Sequence, residues 1–368
     1  MDTLTLSGWS AFQFYRIPPA RLRAVLLAAG EEDLSSIPIP ESGPYLMGID
    51  LPVQVLCSNR DRRPQSKAFL PRTRSHELPR GSYLQIGSHL FVTSPSATLL
   101  TLAADLSSTQ LAMAASELAG TFAIFKGGTA LSLPHEDGCM PQILDHDHAL
   151  EAAGKCSNWR NVHSFAGSAS DLWQRPQLAS RADILSYVHQ CAGIKGCKKL
   201  RAAVDLMVEK AASPLEVQTA MLLGSPVSKG GAGLPVLGCN IPIELHAPAR
   251  RIAGSRICYG DVVLESADGR LVDVECQSEL CHGEGMKVLK DFERALAIQI
   301  EGIEVVHVTK HVLNDERSFD EVARLIGKKL GLSTPARAAK RAALNMSFRD
   351  EVLTGWDPFS LGITGRGR

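Results

Sequence analysis

Residues 271–309 read LVDVECQSELCHGEGMKVLKDFERALAIQIEGIEVVHVT. The opening LVDVECQ alternates, with Val272, Val274 and Cys276 on one side of an extended strand and Asp273, Glu275 and Gln277 on the other. The next segment, GMKVLKDFERALAIQIEG, has helical spacing, with Leu289, Phe292, Leu296 and Ile300 on an apolar stripe predicted to be buried. Lys287, Asp291 and Arg294 fall on another side, and Gly302 follows the last turn as a natural C-terminal cap. IEVVHVT is then a second strand. A strand, a helix and a strand of these lengths make a crossover unit with the two strands parallel.

Just upstream, ICYGDVVLE sets Ile257, Tyr259, Asp261 and Val263 on one face, and SADGR joins it to LVDVECQ as a hairpin. Antiparallel pairing across that turn brings Asp261 near Glu275. Two carboxylates on an apolar sheet repel each other and are costly to desolvate, so a cation is the natural companion. Oxygen ligands of this kind suit Mg²⁺ or Mn²⁺, which can generate hydroxide and stabilise charge on a phosphodiester oxygen. The competing reading is an edge strand whose acidic face meets solvent.

Further back, SPLEVQTAMLLG places Ser213, Pro214 and Glu216 at the N-cap, first and third positions of a helix, which is a capping box. Glu216 is therefore either a cap or a third acid beside Asp261 and Glu275. The following GSPVSKGGAGLPVLG lacks a Gly-Lys-Ser/Thr ending and is not a phosphate loop. Helical patterns also occupy RADILSYVHQCAG and KKLRAAVDLMVEKA, the latter with Leu200, Ala203, Val204 and Met207 on one face. Ser94 and Pro95 open a helix pair, and LPVQVLC reads as a strand.

With 39 basic and 39 acidic residues, no net field points to nucleic acid or membrane, so any such surface must be local. Seven basic residues, among them Arg62 and Arg63, lie between Arg60 and Arg80 against Asp61 and Glu77. Lys328, Lys329, Arg337, Lys340 and Arg341 cluster later. Either stretch can meet phosphates or remain a solvated basic surface. No apolar run reaches the ~18 residues of a membrane span, and no signal segment opens the chain, so a cytoplasmic protein is expected. The nine cysteines include no CxxC pair and read as free thiols, with Cys276, Cys281 and His282 a weak zinc set. The His/Asp-rich LDHDHAL reads as a loop.

Taken together, the helix glutamate Glu216, the strand aspartate Asp261, the ECQ trio 275–277, His282 and DFERALAIQIEGIEVVHVT resemble the PD-(D/E)XK nuclease fold over residues 213–332. The narrower resemblance is to uncharacterised domains related to very-short-patch-repair endonucleases. LSGWSAFQFYRIPP, LFVTSPSATLLTLA and AGIKGCKKLRAAVDL resemble AbiEi-like antitoxin-type proteins. The resemblance implies an α/β protein: a restriction-endonuclease-like mixed sheet flanked by helices, preceded by a smaller α/β domain. The divisions are 1–125 for the AbiEi-like domain, 126–180 for a loop-rich junction, 181–332 for the nuclease-like domain and 333–368 for a basic, flexible tail. It also implies metal ligation by Asp261 and Glu275, an accessory acid at Glu216, and Gln277 in the position usually held by a catalytic lysine. Lys287 and Lys290 are the substitutes for that charge. Arg294, Lys287, Lys290, His282, Arg62 and Arg63 are the expected DNA contacts, and a cognate toxin or defence protein is the expected partner. The rival expectation is a DNA-binding or partner-binding regulator that keeps the fold without the chemistry.

Overall fold

The computed structural model describes residues 3–37, 48–57, 64, 66–73, 76–126, 159–163, 169–277, 285–332, 339–353 and 356, with backbone alone at 285–288 and 339–345. The chain opens with β1 (Leu4–Leu6), α1 (Gly8–Phe14) and α2 (Pro19–Ala29). Strands β2 (Val53–Cys57), β3 (Phe69–Thr73), β4 (Tyr83–Gln85) and β5 (Leu90–Thr93) join β1 in a sheet ordered β3-β2-β1-β5-β4. Ser94 and Pro95 start α3 (Pro95–Leu102) as the sequence predicts, and α4 (Ser108–Leu118) follows with a capping box from Ser107 and Gln110. A three-stranded sheet then forms from β6 (Phe122–Ile124), β7 (Arg160–His163) and β8 (Ala169–Gln174), ordered β6-β8-β7.

Helices α5 (Arg181–Gln190) and α6 (Cys197–Val204) pack on α3 and α4. They join the first half of the molecule, although the sequence groups them with the second. Then come α7 (Pro214–Gly224), β9 (Val236–Glu244), α8 (Ala247–Ala253), β10 (Ile257–Glu265), β11 (Leu271–Gln277), α9 (Gly285–Ile300) and β12 (Glu304–Thr309). The sheet runs β12-β11-β10-β9. Strands β9, β10 and β11 pair antiparallel, and β11 and β12 pair parallel across α9, so both the hairpin and the crossover form as predicted. Ser266 N–H closes the hairpin on the Arg270 carbonyl at 2.9 Å.

The chain ends its described part with α10 (Lys310–Asn314), α11 (Glu316–Lys329) and α12 (Ala339–Leu353). The flexible tail expected from residue 333 contains α12 instead. Phe348 and Val352 are buried, the Gln218 amide donates to the Val352 carbonyl at 2.8 Å, and Ser107 Oγ bonds Glu351 at 2.9 Å. One apolar cluster extends from Leu6 and Phe12 through Leu111 and Leu200 to Val262, Val274 and Trp356, so the two halves share a core.

Helix α9 reverses its predicted orientation. Leu289, Phe292, Leu296 and Ile300 are 53%, 66%, 37% and 44% exposed, while Ala295, Ala297 and Ile298 are buried. The small Ala side chains let the helix lie close on the sheet, where Ala297 and Ile298 meet Ile243, Leu245, Ala249 and Ile303. This choice of face carries Arg294, one residue before Ala295, down onto the strands. Among the described residues no helix is long and apolar enough to cross a membrane.

Candidate active site

The site forms where the ladder between three strands fails. Between β9 and β10 the register runs from Ile257↔Glu244 to Gly260↔Ile241 and resumes at Val262↔Cys239, skipping Asp261 and Asn240. Asn240 has φ +50°, a left-handed conformation that asparagine tolerates better than most residues. On either side of the break the ribbon serves different packing: Cys239, Val262 and Leu264 join the main core, while Ile243, Leu245 and Cys258 join the cluster under α8 and α9. Pairing of β10 with β11 also stops at Val262↔Val274. Beyond it, the Cys276 N–H donates to Asp261 Oδ2 at 2.8 Å. The aspartate side chain takes the place of a strand partner, and continuing the register by one residue sets it across from Glu275.

Arg294 reaches in from α9 to both acids. Its Nη2 donates to Glu275 Oε2, its Nη1 lies 3.9 Å from Asp261 Oδ1 and 3.5 Å from the Tyr259 carbonyl. Burial works against the Arg294 charge, but Glu275 and Asp261 outweigh it and its pKa rises. The acids remain in excess. Glu275 Oε1 and both oxygens of the fully buried Asp273 meet no N–H or hydroxyl donor within hydrogen-bond geometry, apart from a proton the two carboxyls can share. The polar surroundings of Asp273 are the Asp261 backbone and the Glu275 carboxyl. Gly260 makes room for it, since a Cβ there would stand 2.7 Å from Asp273 Oδ1.

Glu216 approaches from the first turn of α7. Its carboxylate accepts from the Ala212 N–H at 2.7 Å, the Ser213 hydroxyl at 2.8 Å and the Asn240 amide at 2.8 Å. The predicted cap is therefore real, but the Ala212 amide replaces the Ser213 amide as its target. The Asn240 amide also links Glu216 to the strand break. Burial, and then the charge of Asp261, push the Glu216 pKa up to about 7. Burial is likewise the first cause at Asp273, raised to about 7, and at Glu275, raised to about 10 with Asp261 and Asp273 adding repulsion. Asp261 is raised by burial against the pull of the Cys276 N–H and Arg294. Without a further cation the cluster holds protons that surface carboxyls would have lost.

Gln277 Nε2 lies 3.2 Å from His307 Nδ1 on the neighbouring strand β12. No lysine amine is placed beside the acids by any described side chain contact. Lys290 is exposed on α9, Lys287 is described by backbone alone, and His282, Cys281, Arg62, Arg63 and LDHDHAL lie outside the described residues. Among the described residues no three His, Cys, Asp or Glu side chains already surround one cation position. The candidate donors are all carboxylate oxygens, the kind that suits a hard divalent ion; of the Asp261 and Glu275 oxygens, Glu275 Oε1 is buried without an N–H or O–H donor. Sequence reasoning passed over Asp273 as a site residue, although it shares the alternating face of Glu275. Asn240 carried no readable signal.

No protein-family model matches the chain, and no curated protein or solved structure matches it.

Proposed function

We propose that this protein is a metal-dependent, nuclease-type hydrolase of DNA phosphodiesters. The observation that carries the reading is the convergence of Asp261 and Glu275 on Arg294 beside the skipped strand pair, with Glu275 Oε1 left over from the Arg294 contact. The succession α7-β9-α8-β10-β11-α9-β12 supports it, because a helix, three antiparallel strands, a crossover helix and a parallel fourth strand are what a restriction-endonuclease-like core requires, with α8 added between the first two strands. Asp261 and Glu275 are the residues that would hold Mg²⁺ or Mn²⁺, which when bound supplies a water of lowered pKa and positive charge at a phosphodiester oxygen. Arg294 is the cation this chain itself contributes. It neutralises Glu275 when no phosphate is near and, one third exposed, can turn outward to a DNA phosphate. Gln277 supplies a polar amide where a lysine would bring charge, so charge on the substrate is left to Arg294 and to the exposed Lys290. The AbiEi-like stretches of the first half are the ground for placing this activity in phage defence or a toxin–antitoxin system, with a toxin or defence protein as partner.

The test is a cleavage assay on plasmid and oligonucleotide DNA. Cutting is expected with Mg²⁺ or Mn²⁺, is stopped by chelator, and is abolished by Asp261→Asn or Glu275→Gln, while DNA binding survives both changes. A second reading, a DNA-binding or partner-binding regulator without chemistry, is favoured by the Arg294 ion pair, which already engages Glu275 from within the chain. Salt-sensitive DNA binding by wild type with no cutting under either metal would select it.

A further inference from the structure

Glu216 is a third carboxylate near Asp261, and one side chain ties it to the strand break. Among the described residues, two residues other than glycine adopt a left-handed backbone, Lys210 with φ +60° and Asn240 with φ +50°. A side chain makes that conformation costly, so two such residues in contact mark a place where the surrounding structure imposes it. They meet in one amide. Asn240 Nδ2 donates to the Lys210 carbonyl at 2.9 Å and to Glu216 Oε2 at 2.8 Å, which uses both of its hydrogens and fixes the orientation of the group.

The cap of α7 does not require that amide. Ser213 Oγ accepts the Glu216 N–H at 3.2 Å and returns its hydroxyl to Glu216 Oε1 at 2.8 Å, and the Ala212 N–H meets Oε2 at 2.7 Å. A capping glutamate is complete with these bonds. What Asn240 adds is a link to a different element. It belongs to β9, and with Asp261 of β10 it forms the step that the ladder skips between Ile241↔Gly260 and Cys239↔Val262. Its bond therefore holds the buried Glu216 carboxylate at the break where Asp261 accepts the Cys276 N–H, close enough for the Asp261 charge to act on Glu216. Because no three such acids among the described residues already surround one cation position, Glu216 stands beside the pair Asp261 and Glu275 and not between them.

We infer that Asn240 is a positioning residue for the ion site: it keeps the negative charge of Glu216 beside Asp261, where a divalent ion held by Asp261 and Glu275 feels it. The inference rests on the metal-dependent reading of those two acids. Groups that orient a carboxylate next to a metal ligand contribute about 10–100-fold in metal affinity although they touch no metal, because they fix where charge stands before the ion arrives.

Titration calorimetry of the full chain with Mn²⁺, paired with thermal melts in the absence of metal, tests this. Asn240→Gly accepts the left-handed backbone and removes both bonds, so Mn²⁺ affinity should fall about tenfold or more while the metal-free melting temperature stays within about 2 °C of wild type. Glu216→Gln keeps an acceptor for the Asn240 and Ala212 N–H groups and drops the charge, so it should weaken Mn²⁺ by a similar factor. Combining the two should weaken Mn²⁺ no further than Glu216→Gln alone, whereas a contribution of Asn240 independent of Glu216 gives losses that multiply. If Asn240→Gly lowers the melting temperature by more, Asn240→Asp decides: it tolerates the same backbone, offers no donor and repels Glu216, and should weaken Mn²⁺ although its added charge alone would strengthen it. An unchanged affinity in the deciding variant, or multiplying losses in the double variant, would overturn the inference; abolition of Mn²⁺ binding by Asp261→Asn in the same series would show that the metal reading itself stands. Wild type that binds no Mn²⁺ would overturn both.

Discussion

Arg16 and Arg294 both reach buried glutamates, and their surroundings differ atom by atom. Glu117 is fully buried, and Arg16 meets it in a fork, Nε and Nη2 each 2.7 Å from one oxygen. The Ile124 N–H at 3.3 Å and the Trp356 indole N–H complete its partners, while the guanidinium lies over Trp9 and Phe12 at 5.3 and 4.8 Å. Both oxygens are used. At Arg294 the same chemistry is left incomplete, with three acids around one guanidinium, Glu275 Oε1 and Asp273 without an N–H donor, and Arg294 Nε also unmatched. A buried ion pair whose lone pairs are all consumed holds a structure together, whereas one with oxygens to spare has capacity for another cation.

The largest test of this difference removes one partner from each pair. Glu117→Ala strands the Arg16 charge in the core and should cost about 3–5 kcal/mol in denaturant unfolding. Arg294→Met should cost only about 1 kcal/mol or less, because Arg294 is partly exposed and the acids it leaves can take up protons. Equal losses at the two positions would erase the distinction.

The next effect concerns ions. At pH 8, Mg²⁺ or Mn²⁺ at a hundredfold excess over Kd should stabilise wild type by about 2.7 kcal/mol, and Asp261→Asn should lose that gain in a thermal melt. A melting temperature indifferent to both metals would leave the spare oxygens as unexplained strain and favour the regulator reading.

Protons give a comparable but pH-limited effect. Asp273 has a folded pKa near 7 against an ordinary 3.8, so the folded state holds its proton more tightly than the unfolded chain. Its contribution is therefore fully present below the unfolded value and is lost as pH rises through the folded one. Asp273→Asn cannot ionise, so its stability relative to wild type should grow between about pH 4 and pH 7 and level off above. A gap that does not change with pH would show that Asp273 is not the ionising group. The smallest effect is Gln277→Lys at a half-exposed strand end, within about 0.5 kcal/mol of wild-type stability, with cleavage retained or raised if position 277 serves the chemistry.

The parts of the site that come from local rules were legible in the sequence. Alternation placed Val272, Val274 and Cys276 in the core and the acids opposite, and SADGR and the Ser213 cap formed where their chemistry requires. Tertiary choices were not legible. Helical periodicity located the apolar stripe of α9 correctly, yet the sheet took the face with Ala295 and Ile298, where small side chains allow close approach, and left Phe292 and Leu289 exposed. The burial of Asp273 depends on a glycine thirteen positions earlier, and the Asn240 contact to Glu216 comes from a left-handed residue, neither of which has a period. The grouping of α5 and α6 with the first half likewise rests on long-range packing between Leu200 and Leu111 in the shared core.

The indole of Trp356 closes on Glu117 across 239 positions of chain. A ribosome delivers Arg16 and Glu117 early and Trp356 late, so the first core is assembled with one polar partner and one aromatic face still to come. Phe122, whose ring packs 5.6 Å from Trp356, waits in the same way. The order of synthesis and the order of completion therefore run apart, and the N-terminal half, although it emerges first, reaches its final packing only when α12 and Trp356 have been made and have docked.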